Sequence, residues 1–203
     1  SNVFAGSDTT AIALRSIFLN LLRHPHVLSK LIAELEERRA AGRLSNTVTF
    51  QEAEACPYLQ AVMHEALRIF SPAGFSFDRD VPKEGMIISG KFVPGGTVVG
   101  SSPWVIHSLP EVWGADFDKF RPERWLEGEN SSELKRFFFA FGGGTRTCIG
   151  KNISWLEMEK LVATLLMRYD FELVEDENIS DSCRWVMLSE PSYSRNSTWN
   201  VSH

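Results

Sequence analysis

The sequence predicts a mainly α-helical fold with small β-sheets, in a single domain over residues 1–203. Three observations carry this reading. Apolar side chains recur at helical spacing in four segments, short β-branched runs broken by Ser-Gly and Pro-Gly-Gly fall between residues 81 and 100, and no repeat or linker interrupts the chain. With 203 residues, 43% hydrophobic and 23% charged, the chain has the material for a core of its own.

The first helix is read over residues 9–22, "TTAIALRSIFLNLL", whose apolar side chains lie nearly all round and mark an element buried on most faces. Residues 25–41 open with Pro25 and set Val27, Leu28, Leu31, Ile32 and Leu35 on one stripe, with Glu34, Glu36, Arg38 and Arg39 largely opposite, before Gly42 stops the helix. A third helix follows Pro57 through "YLQAVMHEALRIF" and ends at Ser71-Pro72. Residues 81–100 read as hairpin strands. Residues 101–136, rich in Pro, Trp, Phe and Asp, show no period and read as a long irregular segment of the kind that is functional or packed under a cofactor. Leu161, Val162, Leu165, Leu166 and Tyr169 restore helical spacing over residues 151–168, and the polar tail holds one candidate strand, "RWVML", at 184–188.

Charge and cysteine content narrow the function classes. A net charge of −5, with no basic run longer than Arg38-Arg39 or Lys135-Arg136, excludes a nucleic-acid surface. Cys56, Cys148 and Cys183 are too few and too widely spaced for a disulfide scaffold or a paired zinc motif, which points to a reducing compartment. Five Asn-x-Ser/Thr triplets, at Asn130, Asn152, Asn178, Asn196 and Asn200, are attributed to Ser/Asn-rich composition. The chain starts at Ser1 without a signal-peptide pattern or a membrane-length apolar run, so it is expected either to be soluble or to lack its targeting end.

The stretch "FGGGTRTCIG", residues 141–150, concentrates the chemistry. Gly142, Gly143 and Gly144 let the backbone lie against a bulky planar group, and Gly150 turns the chain into the helix beyond. Cys148 thus stands just before a helix N-terminus, where free N–H groups and the helix dipole suit an anionic sulfur, the form that ligates a metal. Arg146 can donate to a carboxylate at the edge of the same group. Competing readings are weaker. The phosphate-loop pattern G-x-x-x-x-G-K-[ST] fails at Thr145 and Asn152, and the five histidines lie in no context that would make Cys148 a nucleophile. A structural, buried cysteine remains open on this loop alone.

The loop fits F-x-x-G-x-R-x-C-x-G through Phe141, Gly144, Arg146, Cys148 and Gly150, and resembles the loop that carries the axial cysteine of the cytochrome P-450 heme-thiolate monooxygenases. "EALR", Glu65 to Arg68, resembles the family's E-x-x-R; "FRPERW" resembles its Pro-Glu-Arg-Phe region with Trp125 in place of Phe; "AGSDTT", residues 5–10, resembles the oxygen-binding part of its central helix. All four occur in the family's order over residues 1–175, so the chain is similar to the C-terminal half of a family member of the eukaryotic, microsomal type: a partial domain lacking the N-terminal half, consisting of the central helix, the E-x-x-R helix, the hairpin sheet, the meander, the cysteine loop and the helix after it.

The resemblance implies an oxidoreductase that activates dioxygen and inserts one oxygen atom into a small apolar organic substrate. Heme b would bind with Cys148 as axial iron ligand and with Arg146, Phe141, Gly144, Gly150, Ala5 and Gly6 around it; Arg79 resembles the second propionate-binding arginine. Asp8 and Thr9 would feed protons to oxygen through water, a general-acid role. By local rules Ser7 or Asp8 is an N-cap, whereas the family runs its helix straight through and distorts it there. Glu65, Arg68 and Arg124 would form a buried structural triad fixing the heme loop. Electrons would come from NADPH through a flavoprotein reductase, and the full-length parent would sit on the cytosolic face of the endoplasmic reticulum membrane. Lys135, Arg136, Lys151 and Lys160 read as solvated surface before a reductase-docking patch, and His107 and Cys56 as structural. The alternative function is a non-catalytic remnant unable to hold heme, and "EPSYSRNSTWNVSH" at the end departs from the family's closing strand.

Overall fold

The computed structural model describes residues 2–127 and 131–173; the candidate strand at 184–188 and the triplets at Asn130, Asn178, Asn196 and Asn200 lie outside them. Helix α1 spans Asn2–Arg23, α2 Pro25–Ala40, α3 Phe50–Glu54 and α4 Pro57–Ile69. Two small antiparallel sheets follow. Strand β1, Arg79–Asp80, pairs with β4, Val98–Val99, and inside that pair β2, Met86–Ile88, forms a hairpin with β3, Lys91–Val93. The hairpin turn has positive φ at both central residues, 50° at Ser89 and 78° at Gly90, the handedness that matches the twist of its strands. Helices α5 (Pro103–Ile106), α6 (Pro110–Trp113) and α7 (Ser131–Phe137), a 3-10 turn at Pro122–Trp125, and α8 (Lys151–Leu166) complete the order.

Helix α4 is the hub. Leu59, Val62, Met63, Ala66 and Leu67 share one core with Ala13, Ile17 and Leu21 of α1, Val27, Leu31 and Leu35 of α2, and Met158, Val162 and Ala163 of α8. A satellite cluster of Ala61, Trp113 and Trp125 covers its other side. So few sides of α4 face water that its polar residues must find partners inside the protein.

Three local readings are revised. Helix α1 begins upstream of Ser7 and Asp8, which are helical residues rather than caps, and it continues unbroken through Thr9. Its apolar pattern also exceeds what it buries: Ala13, Ser16, Ile17 and Leu21 are buried, Leu14 and Phe18 are half-buried and Ala11 is exposed, because the described elements pack against one side of it. The segment 101–136 contains short helices, three of which carry proline in their first turn, where the missing N–H costs nothing. Helix α3 is new. It is announced by Thr49-x-x-Glu52, whose side chains and backbone N–H groups cap one another.

The N-terminus of α4 is capped from outside. Cys56, its N-cap residue, makes no side-chain bond there, and the Glu34 carboxylate of α2 instead accepts the N–H groups of Tyr58 at 2.9 Å and Leu59 at 3.0 Å. A surface-stripe glutamate thereby becomes a tie between two core helices. Glu34→Ala is expected to cost about 1–2 kcal/mol, read as a lower urea midpoint at unchanged slope.

Candidate active site

Glu65 is fully buried, and every lone pair it has is used. Its Oε1 accepts from Arg68 Nη2 at 2.8 Å, Arg124 Nε at 2.8 Å and the backbone N–H of Arg121 at 3.0 Å; its Oε2 accepts from Arg68 Nε and Trp125 Nε1, both at 2.9 Å. The two guanidinium groups spend their remaining protons on carbonyls of residues 107–119, the meander of the irregular segment. Arg68 donates to the carbonyls of His107, Phe117 and Lys119, and Arg124 to those of Trp113, Asp116 and Lys119. Asp116 supplies the second negative charge, at 3.3 Å from Arg124 Nη1. Burial opposes its ionisation, but Arg124 and Arg121 outweigh that and hold its carboxyl below the usual range. The structure therefore brings Glu65, Arg68 and Arg124 together in one neutralised, satisfied network.

His107, read from sequence as merely structural, connects this network to the cysteine loop. Its Nε2 accepts the Phe139 N–H at 2.8 Å, so Nδ1 carries the proton and donates to Arg68 O at 3.1 Å. In the loop, Gly142 donates its N–H to Phe139 O at 2.9 Å with φ at +68°, a backbone conformation that a side chain would strain. Cys148 donates its own N–H to Phe141 O at 2.9 Å. Helix α8 starts after Gly150 without a side-chain cap, and its first residue, Lys151, donates its N–H to the carbonyl of the exposed Cys148 at 3.3 Å.

These elements enclose a cavity of about 340 Å³. Thr9, Thr10 and Ala13 of α1, Leu67 of α4, the Pro72–Ala73 turn with Phe77 and Arg79, the loop residues Ala140, Phe141, Gly142, Arg146 and Cys148, and Ser154 and Met158 of α8 line it. Arg146 makes no side-chain hydrogen bond or ion pair among the described residues, and Arg79 donates to Asp78 O at 2.7 Å. One soft sulfur, two cations and mainly apolar walls suit a flat, acidic, iron-bearing group such as heme. Among the described residues, no cluster of three His, Cys, Asp or Glu is placed to hold a bare metal ion.

Not every sequence candidate reaches this cavity. Thr9 lines it, with its hydroxyl donating to Ala5 O at 2.8 Å, but Ala5, Gly6 and Asp8 are exposed and outside the lining. Gly144, with φ at +64°, opens the 3-10 turn Gly144–Arg146, and Gly150 caps α8; both shape the loop without lining the cavity. Ala13 was findable as the next residue on the Thr9 face of α1. Leu67, Pro72, Phe77 and Met158 carried no local signal, because only long-range packing assembles them.

Residues 1–196 match the Cytochrome P450 family model. The chain belongs to the cytochrome P450 family. A cytochrome P450 monooxygenase of Aspergillus oryzae, hepC, is 52% identical over 174 residues, covering 85% of this chain and 34% of the relative. Another from Emericella nidulans, cicH, is 43% identical over 197 residues, covering 96% of this chain and 40% of the relative. Pisatin demethylase of Fusarium vanettenii is 42% identical over 190 residues, covering 93% and 36% respectively. The chain thus spans between a third and two fifths of these P450 proteins. Among the described residues, no helix is long and apolar enough to cross a membrane.

Two measurements probe the P450 network. Arg124→Met leaves a buried carboxylate short of a cation and is expected to cost about 3–5 kcal/mol in urea unfolding, whereas Lys30→Ala, which breaks the exposed pair with Glu123, is expected to cost no more than about 1 kcal/mol. The second uses pH. Burial, helped by Lys135 and Lys151 at His64 and by Arg68 at His107, pushes both imidazoles from 6.5 down to about 4, against their bonds to backbone carbonyls. The unfolded chain takes up these protons near 6.5 and the folded chain only near 4, so this stability is complete above 6.5 and is lost as pH falls toward 4. Each histidine adds about 1.4 kcal/mol per pH unit to that loss, and melting curves of His107→Gln are expected to show its share removed.

Proposed function

We propose that this P450 chain carries the cysteine-ligated heme site of a monooxygenase that inserts one atom of dioxygen into a small apolar organic substrate. The observation that carries it is the shared cavity: Cys148 and Arg146 of the loop and Thr9 of α1, far apart in sequence, line the same space. Heme b, when bound, supplies the redox iron at which dioxygen is activated. The remaining work belongs to the chain.

Cys148 would ligate the heme iron through its sulfur, an electron-rich donor suited to oxygen-activating iron. Arg146 and Arg79, which line the cavity, would pair with the carboxylates of the heme. Phe141 lines the same cavity and its carbonyl accepts the Cys148 N–H, while Gly144 and Gly150 give the loop its shape. Ala5 and Gly6 keep the preceding turn of α1 small. Thr9 already gives its hydroxyl proton to Ala5 O, so its oxygen is left to accept a hydrogen bond from a water in the cavity it lines. To give up a proton, Thr9 must turn away from Ala5 O. Asp8, exposed one residue earlier, recharges the water chain from solvent.

The similarity to proteins named monooxygenases and to a pisatin demethylase supports hydroxylation or dealkylation of an organic small molecule. Electrons come from NADPH through a flavoprotein reductase, with the full-length parent on the cytosolic face of the endoplasmic reticulum membrane.

The test is heme reconstitution and the absorption spectrum of the reduced, carbon monoxide-bound form. A strongly red-shifted Soret band that vanishes in Cys148→Ser is expected. No heme uptake, or a spectrum indifferent to that substitution, would favour a remnant without chemistry. In a full-length parent, Thr9→Ala is expected to keep electron consumption and lower product per electron by at least about tenfold.

A further inference from the structure

We propose that His107 is a positioning residue for the cysteine loop, holding the Phe139 N–H in place and so transmitting the geometry of the buried Glu65–Arg68 pair to the backbone that presents Cys148. The spectral part of this inference rests on the heme-thiolate reading above; the structural part does not.

His107 is tied to α4 at two points. Arg68 Nη1 donates to its carbonyl at 2.9 Å, and its Nδ1–H donates back to the Arg68 carbonyl at 3.1 Å, with Ser71 Oγ 3.3 Å away. The imidazole is wedged between aromatic rings, stacked on Phe138 at 5.7 Å and 14° and edge-on to Trp113 at 5.8 Å. With one face and one nitrogen fixed, only one direction is left for the Nε2 lone pair. It meets the Phe139 N–H at 2.8 Å.

Beyond that bond the path is all backbone. Phe139 O receives Gly142 N–H, which sets the left-handed turn, and Phe141 O receives Cys148 N–H, each at 2.9 Å. Arg68 and the thiol never touch, yet two ring nitrogens and four peptide groups of the loop link the α4 backbone to that of Cys148. An apolar filler of the same volume would satisfy the packing and leave Phe139 N–H without its acceptor. A ring nitrogen here therefore serves direction rather than bulk.

Two substitutions separate these roles. Gln places an amide oxygen near the Nε2 position and keeps an acceptor for Phe139; Asn keeps a donor for Arg68 O and is too short to reach Phe139. Amide hydrogen exchange of the full chain is the first readout. His107→Asn is expected to speed exchange at Phe139, Gly142 and Cys148 by about tenfold while leaving Leu31 and Leu35 of α2 as they were, with His107→Gln close to the unsubstituted chain. The second readout is the fraction of the reduced, carbon monoxide-bound heme protein with the red-shifted Soret band, lower in His107→Asn and recovered in His107→Gln. Equal behaviour of the two variants, a rise in exchange as large in α2 as in the loop, or a loosened loop with an unaltered spectrum would each overturn the proposal. If the red-shifted band does not depend on Cys148, the heme reading falls, and exchange alone still decides what His107 does.

Discussion

The structure depends on one buried anion. Glu65 lies on the helix that every other core helix touches, and its charge is tolerable only because two guanidinium groups, an indole and a backbone N–H meet it together. Once those cations are in place, their outward-facing protons have to be satisfied as well. The irregular segment after the hairpin does this with a series of carbonyls. A charge that would be costly to bury thus specifies the path of chain that otherwise lacks regular structure, and it does so through hydrogen-bond direction rather than apolar area.

That path ends at the site. The meander and the turn after it present His107 and Trp125 to Phe138 and Phe139, and the cysteine loop begins there. The P450 loop is consequently fixed at its upstream end by aromatic packing and a histidine bond and at its downstream end by the start of α8. Its exposed crest carries Cys148 and Ile149, the latter 90% exposed. Anchored ends and an open crest suit the heme-ligating role proposed for the loop, since a site assembled only on binding would spend affinity on ordering it.

The sequence made the helices legible wherever period and punctuation agreed: Pro25, Pro57 and Gly42 mark boundaries that fall within a residue or two of those found. It also supplied the loop pattern and the spacing of Glu65 and Arg68, both local in sequence. What it concealed was non-local or non-periodic. Short proline-led helices are too brief to show a period, and the start of α1 was hidden because Ser7 and Asp8 are strong capping residues that here lie mid-helix. Glu34 looked like a solvent-facing charge and is a cap for another helix; His107 looked like filler and carries a backbone bond. In each case the deciding partner lies more than twenty residues away in sequence.

The central claim is that the Glu65 charge network keeps the cysteine loop competent, and the most direct measurement is the heme affinity of the folded chain with and without that charge. Titration of heme into Glu65→Gln, under conditions where far-ultraviolet circular dichroism shows it as helical as the unsubstituted chain, is predicted to give binding weaker by at least about tenfold, a penalty near 1.4 kcal/mol. Unchanged affinity in a measurably destabilised variant would contradict the account, because the loop would then hold its shape without the anion beneath it.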